Sequence, residues 1–201
     1  AGKPQSFESI ETTHYSVVDK DGNAVSATTT INGSYGSSIV VAGAGFLLNN
    51  EMDDFSVKPG FPNMYGLTGS DANAIEPGKR MLSSMTPVIV EKDGKLFLVA
   101  GSPGGSTIPT TVFQVVINVI DYNINIWQAV DTGRFHHQWL PDRISYEGNS
   151  IDSAALASLK IMGHEMHQVG ALGRVNAVGI LRDGRLAGAA DRRGDNSACG
   201  Y

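Results

Sequence analysis

Cysteine is almost absent from this 201-residue chain: Cys199 stands alone, so no internal disulfide staples the fold. Charge is sparse as well, at 17 %, and 15 Lys and Arg against 20 Asp and Glu leave a net charge of −5. No basic tract or acidic tail appears, which argues against a nucleic-acid partner. Long apolar runs are missing. The stretch Val112 to Ile120 is broken by Gln114 and Asn118 and falls far short of the ~20 residues that a membrane span needs. Residues Ala1 to Ser6 are polar and hold no apolar leader core, so an export signal would have to precede them. What is plentiful is glycine, 24 of 201 residues, against a usual ~7 %. Hydrophobic residues at 41 % rule out a disordered chain, and the length suits one domain able to bury a core.

Three stretches share one turn device. Tyr15 to Val18 leads through Lys20-Asp21-Gly22 to Ala24–Thr30, and Val88 to Val90 leads through Lys92-Asp93-Gly94 to Leu96–Val99. Val178 to Leu181 leads through Asp183-Gly184 to Leu186–Gly188. Asp-Gly between β-branched or apolar runs marks a hairpin, because glycine accepts the positive φ that a tight turn demands. Antiparallel strands are therefore expected at both ends of the chain. Val112, Val115, Val116, Val119 and Ile120 follow the spacing of one helical face, predicting a helix over Ile108–Tyr122 with Ser106 or Thr107 as its cap. Shorter helices are predicted over Asn125–Val130 and Ser153–Met162, the latter capped by Asp152 and stopped by Gly163. Asn49 to Pro87 shows neither period and is punctuated by Gly and Pro, so it reads as long functional loop. Strands, then helices, then a final hairpin suggest helices packed on antiparallel sheet, in one sheet or in layers.

Several familiar motifs fail on spacing. His164-Glu165-Met166-His167 lacks the i, i+4 histidine pair of a zinc helix, and His136-His137 point apart on any regular element. Gly101-Ser102-Pro103-Gly104-Gly105-Ser106 follows a strand but has no Lys-Ser/Thr pair to complete a phosphate loop. No metal or cofactor is called for. What remains is a Gly104-Gly105 turn before a helix, whose N–H groups could hold a developing oxyanion, or whose glycines could simply permit a tight bend. Thr12-Thr13 heads the first strand. A threonine becomes a good nucleophile when it is the first residue of a chain and its own α-amine serves as base, yet strand threonines are also ordinary.

The residues then resemble a known family. Thr12-Thr13-His14-Tyr15-Ser16-Val17-Val18-Asp19 is similar to the start of the small subunit of γ-glutamyltranspeptidases (glutathione hydrolases). The likeness continues through Thr28–Asn32, Leu47–Phe55, Asn63–Leu67, Lys79–Pro87, Gly101–Ser106 and Arg134–Pro141 to the terminal Gly200-Tyr201. It implies an α+β fold, the αββα sandwich of the N-terminal-nucleophile hydrolases, completed by a large subunit. Residues 1–11 would be the end of the large-subunit or pro-segment region and 12–201 the catalytic domain. By the same resemblance Thr12 is the nucleophile exposed by self-cleavage before it, Thr30 orients it, and Gly104 and Gly105 form the oxyanion hole. Glu51, Asp54 and Asn32 hold the α-ammonium of a glutamyl head group. Ser83 and Ser84 bind its α-carboxylate beside an arginine of the large subunit, and Pro59–Ser70, with Tyr65, forms a lid.

The implied activity is cleavage of γ-glutamyl amides such as glutathione, with transfer to water or an amine, in a periplasmic or secreted heterodimer without cofactor. Two alternatives stand beside it. One is a glutaryl (cephalosporin) acylase, disfavoured because glutaryl has no ammonium and would leave Asp54 buried without a partner. The other is an unprocessed, inactive precursor, since in the written sequence Glu11 still acylates the Thr12 nitrogen.

Overall fold

Residues 12–200 are described by a computed structural model; residues 1–11, which include the Glu11 side of the expected cleavage, and Tyr201 lie outside the described residues. All three Asp-Gly hairpins form. Strands β1 (Thr12–Val18) and β2 (Ala24–Thr30) pair antiparallel with Thr12 opposite Thr30 and His14 opposite Thr28. The Asp19 carboxylate closes their turn by accepting from the Asp21 and Asn23 N–H groups. Strands β3 (Val88–Lys92) and β4 (Lys95–Gly101) turn at Asp93 and Gly94, both with positive φ. With β8 (Asn176–Ile180) and β9 (Leu186–Ala190) they build one antiparallel sheet in the order β3-β4-β8-β9.

The first helix, α1, spans Ile108–Ile120, and α2 spans Ile126–Asp131 with the Asn125 side chain capping Gln128 N–H. The expected cap of α1 is corrected: the Thr107 hydroxyl does not accept from the helix but donates to Gly104 O at 2.8 Å. A 3₁₀ turn over Gly105–Thr107 feeds the helix instead, which ties its start to the glycine bend. Helix α3 (Ser153–Ile161) is capped by Asp152 as expected. One small sheet was not legible in the sequence. Strands β5 (Phe135–His136), β6 (Ile144–Glu147) and β7 (Met166–Val169) form it, and β6 and β7 run parallel across the α3 crossover, against the all-antiparallel expectation.

Three layers stack: the β1–β2 hairpin, the four-stranded sheet, and α1 with α2. Leu98 and Ala100 of β4, Ala177 of β8, and Ala187 and Ala189 of β9 bury against Val115, Ile126, Ala129 and Val130 of the helices. Small alanines on that face let the helices close on it. The hairpin meets the opposite face differently. Its inward face carries Thr12, His14 and Ser16 on β1 and Ser26, Thr28 and Thr30 on β2, with Val18 and Ala24 at the turn end, while Tyr15, Val17 and Val25 point outward, each about half exposed. A polar seam thus separates the two sheets. No helix of the described residues covers the outer side of the hairpin, where the second helical layer of the sandwich was expected.

Candidate active site

Thr12 sits at the first position of β1, 5 % exposed, and its hydroxyl donates to Thr30 Oγ1 across the register pair at 3.2 Å. Thr30 Oγ1 also accepts the Asn32 N–H at 2.9 Å. With two donors on one oxygen, Thr30 fixes the rotamer of Thr12. Asn32 has a positive φ of 72°, which aims its side chain away from the strand direction, and its Nδ2 donates to Asn50 O.

The glycine turn follows from the end of β4. Ser102 is fully buried; its hydroxyl donates to Pro103 O at 2.6 Å and accepts Arg174 N–H at 2.8 Å. Gly104 and Gly105 then take φ values of +147° and +54°, which L side chains rarely adopt. A Cβ on Gly105 would stand 2.7 Å from the Tyr65 ring. Among the described residues no acceptor engages the N–H of Gly104 or of Gly105, although Gly104 is buried and its carbonyl accepts from Thr107. Buried backbone donors without partners are rare, and such a pair suits a transient negative charge.

The acidic side of the site lies on the 3₁₀ turn Glu51–Asp54, which follows Asn50. Asn50 receives both Asn32 Nδ2–H and Gly33 N–H, so this turn is docked onto the end of β2. No ion pair or side-chain hydrogen bond satisfies the Glu51 or Asp54 carboxylate among the described residues. Burial pushes the Glu51 carboxyl up, and burial followed by the charges of Glu51 and Asp53 pushes Asp54 up to about 6. Two half-buried carboxylates three residues apart, both disfavoured as anions, call for a cation between them. Ser84 donates to Gly105 O at 3.0 Å, and Ser83 Oγ accepts Met85 N–H.

The loop of residues 59–70 packs over this group. Tyr65 donates to Asn32 O at 3.0 Å and lays its ring on Gly105. Asp53 takes Met64 N–H, and Gln138 Nε2 donates to Tyr65 O, so the loop is tied down on two sides. Beneath it lies a cavity of about 370 Å³ lined by Asp54, Phe61, Tyr65, Leu67, Asn73 and Ser84. Thr12, Gly104 and Gly105 do not line it; the Tyr65 and Ser84 side chains line it and also contact Gly105. A continuous chain of contacts therefore links Thr12, Thr30, Asn32, Tyr65, Gly105 and Ser84, with Gly104, Ser83, Glu51 and Asp54 one bond or one turn away.

Two features near the site carry no spacing signal in the sequence. Arg134, 1 % exposed, donates to Asp191, Val130 O and Leu172 O, and Arg193 binds Glu147 through two nitrogens and Asp191 through a third. Glu147 Oε1 accepts Leu172 N–H and Asp191 Oδ2 accepts Val175 N–H, so this four-charge group holds the segment that packs Gly173 against Gly104. The partners lie up to 57 residues apart in sequence. The second feature is His14, buried in the polar seam beside Gly101. Of the other sequence motifs, His136 binds Thr110 and Gln138 while its neighbour His137 pairs with Asp142, so the two do point apart.

The family described as gamma-glutamyltranspeptidase matches residues 1–201. The chain is 54 % identical to a protein named "Glutathione hydrolase proenzyme" from Escherichia coli strain K12, over all of this chain and 34 % of that protein. It therefore spans about a third of the length of that curated relative. Among solved structures it is similar to a mutant gamma-glutamyltranspeptidase from Helicobacter pylori, with a TM-score of 0.87 and 57 % identity over 90 % of this chain and 100 % of that one. A cephalosporin acylase from Bacillus halodurans is more distant, with a TM-score of 0.79 and 28 % identity over 94 % of this chain and 34 % of that one.

Proposed function

This chain belongs to the gamma-glutamyltranspeptidase family, and from that premise we propose that it carries the catalytic part of a γ-glutamyl hydrolase and transferase. Residues 12–201 are the catalytic subunit in this reading, and residues 1–11 end the preceding region of a precursor. The Thr12 hydroxyl attacks the Glu11 carbonyl, the amide becomes an ester, and water cleaves it to leave Thr12 with a free α-amine. That amine is the base that the reaction needs, and Thr12 has none before cleavage.

In turnover the amine takes the Thr12 hydroxyl proton as Oγ1 attacks the γ-carbonyl of a donor such as glutathione. Thr30 holds Oγ1 in line. The tetrahedral oxyanion is received by the Gly104 and Gly105 N–H groups, a contribution worth about 10²–10³ in rate per donor. The protonated amine passes its proton to the leaving nitrogen, which departs and leaves a γ-glutamyl ester on Thr12. Water or the amine of an amino acid then repeats the attack on that ester. Glu51, Asp54 and Asn32 receive the α-ammonium; Ser83 and Ser84 receive the α-carboxylate, with an arginine from the rest of the precursor. That partner also covers the outer face of the β1–β2 hairpin.

The single observation that carries the reading is the buried Thr12–Thr30 pair, joined through Asn32 and Tyr65 to a glycine turn with two open N–H groups. The glutaryl acylase reading is weaker, because glutaryl would leave the paired carboxylates of Glu51 and Asp54 without a cation. Expression of the full precursor tests both. Intact mass and N-terminal sequencing should reveal a fragment beginning at Thr12, and γ-glutamyl anilides should be preferred over glutaryl anilides. Thr12→Ala should lose cleavage and turnover together; turnover in that variant would place the nucleophile elsewhere.

A further inference from the structure

The buried imidazole of His14 takes no part in that chemistry, yet it occupies a telling place. Thr12 and His14 point to the same face of β1, and their register partners Thr30 and Thr28 share a face of β2. His14 is thus the next rung inward from the nucleophile. Its Nδ1 lies 2.8 Å from Thr28 Oγ1 and its Nε2 lies 3.0 Å from Ser16 Oγ.

The protons on these bonds can be assigned. Ser16 has one hydroxyl proton and donates it to Asn176 O at 3.0 Å, so Ser16 Oγ must accept from Nε2–H. In a neutral ring Nδ1 is then the acceptor, and Thr28 is its donor. Neutrality is enforced by surroundings: burial pushes the His14 pKa down to about 4.

The ring is also wedged. A Cβ on Gly101 would collide with the His14 ring, so only glycine admits the imidazole at the end of β4. Gly101 lies opposite Asn176 in the β4–β8 pairing, and Asn176 Nδ2 donates to His14 O at 2.9 Å. Three residues beyond Gly101 the chain enters the Gly104–Gly105 turn. His14 therefore fills the gap between the strand that begins at Thr12 and the strand that delivers the two open amides.

We propose that His14 is a positioning residue: a neutral, Nε2–H imidazole, clamped by Ser16 and Thr28, that sets the height of Thr12 above the Gly104–Gly105 turn. This rests on the functional reading above. It acts through Thr12 and does not touch the head-group site, so its loss should appear in kcat and spare KM. Displacements of about 1 Å at a reacting group cost up to roughly a hundredfold in rate.

Thr28→Val tests it, since valine has nearly the same shape and removes only the proton donated to Nδ1, while Thr28→Ser keeps that proton. In the full precursor, Thr28→Val should lower kcat on a γ-glutamyl anilide by roughly ten- to hundredfold with KM within about twofold, and Thr28→Ser should stay near wild type. Gly101→Ala, which pushes the same ring from the other side, should reproduce the kcat-only loss. Imidazole ¹⁵N spectra should show the Nε2–H tautomer in wild type, and Thr28→Val should perturb it. Wild-type kcat in Thr28→Val, a KM that rises in step with the fall in kcat, or an Nδ1–H ring would overturn the inference. A wild-type precursor that cleaves itself but turns over no γ-glutamyl anilide would sink the functional reading, and the inference with it.

Discussion

Acidifying the protein should weaken its hold on an ammonium group as Asp54 takes up a proton. That carboxyl titrates near 6, raised first by burial and then by the charges of Glu51 and Asp53. With such a pKa the ionised fraction falls from about nine-tenths at pH 7 to about one-tenth at pH 5. Affinity for L-glutamate should therefore drop about tenfold over that interval, or about 1.4 kcal/mol. Glutarate, the same molecule without the ammonium, should bind no worse at pH 5 than at pH 7. Glutamate's carboxyls ionise mostly below this window, whereas the second carboxyl of glutarate ionises partly inside it, so each curve is corrected for the ligand's own titration before the two are compared. Calorimetry on the processed protein at pH 5, 6 and 7 makes the measurement, and Asp54→Asn should flatten the glutamate curve.

Stability runs with the opposite sense. A carboxyl whose folded pKa lies above its value of 3.8 stabilises the fold fully at pH below that value and loses the contribution as pH rises through about 6. Asp54 is half-buried, so solvent screening leaves on the order of 1–2 kcal/mol. Glu147 and Asp191, whose carboxyls are lowered by their arginines against the pull of burial, oppose this trend as pH falls. The difference between wild type and Asp54→Asn isolates the Asp54 share. A glutamate affinity that stays level from pH 7 to pH 5, or a glutarate curve with the same slope, would refute the assignment of Asp54 as the ammonium partner.

Gly105→Ala meets both a φ of +54° and the Tyr65 ring, so kcat should fall by about two to three orders of magnitude while limited proteolysis of the lid accelerates. Tyr65→Phe deletes only the hydroxyl that reaches Asn32 O; steady-state kinetics should show KM rising severalfold, on the order of 1 kcal/mol. Arg134→Met takes one of its two arginine partners from the fully buried Asp191 and leaves it Arg193, which should lower stability by about 3–5 kcal/mol in thermal or denaturant unfolding. A loss below about 1 kcal/mol would mean that Arg193 alone neutralises the group.

Hairpins were legible because each depends on one local requirement, a positive φ supplied by Gly22, Gly94 or Gly184. Helix α1 was legible because its periodicity runs for 13 residues, long enough to stand out. Strands β5 to β7 were not, since two to four residues such as Met166-His167-Gln168-Val169 carry no clear alternation and their parallel pairing depends on α3. The cap of α1 failed because Thr107, the last residue of the 3₁₀ turn, already has helical φ and ψ, and its hydroxyl turns back to Gly104 O and away from the free helix N–H groups. Thr12 and the glycine turn were visible as residue types, but only the family resemblance gave them roles. Nothing in spacing joins His14 to Gly101 or Arg134 to Asp191, because sheet stacking and loop closure bring them together.

The inverted hairpin sets heat tolerance against turnover. Where most sandwiches keep their greasiest contacts, this one keeps mainly hydroxyls and an imidazole, and Tyr15, Val17 and Val25 face away. Selection for survival at high temperature alone would reward valine or alanine along that interior, drying it at the expense of the reaction. Selection for catalysis would hold it wet.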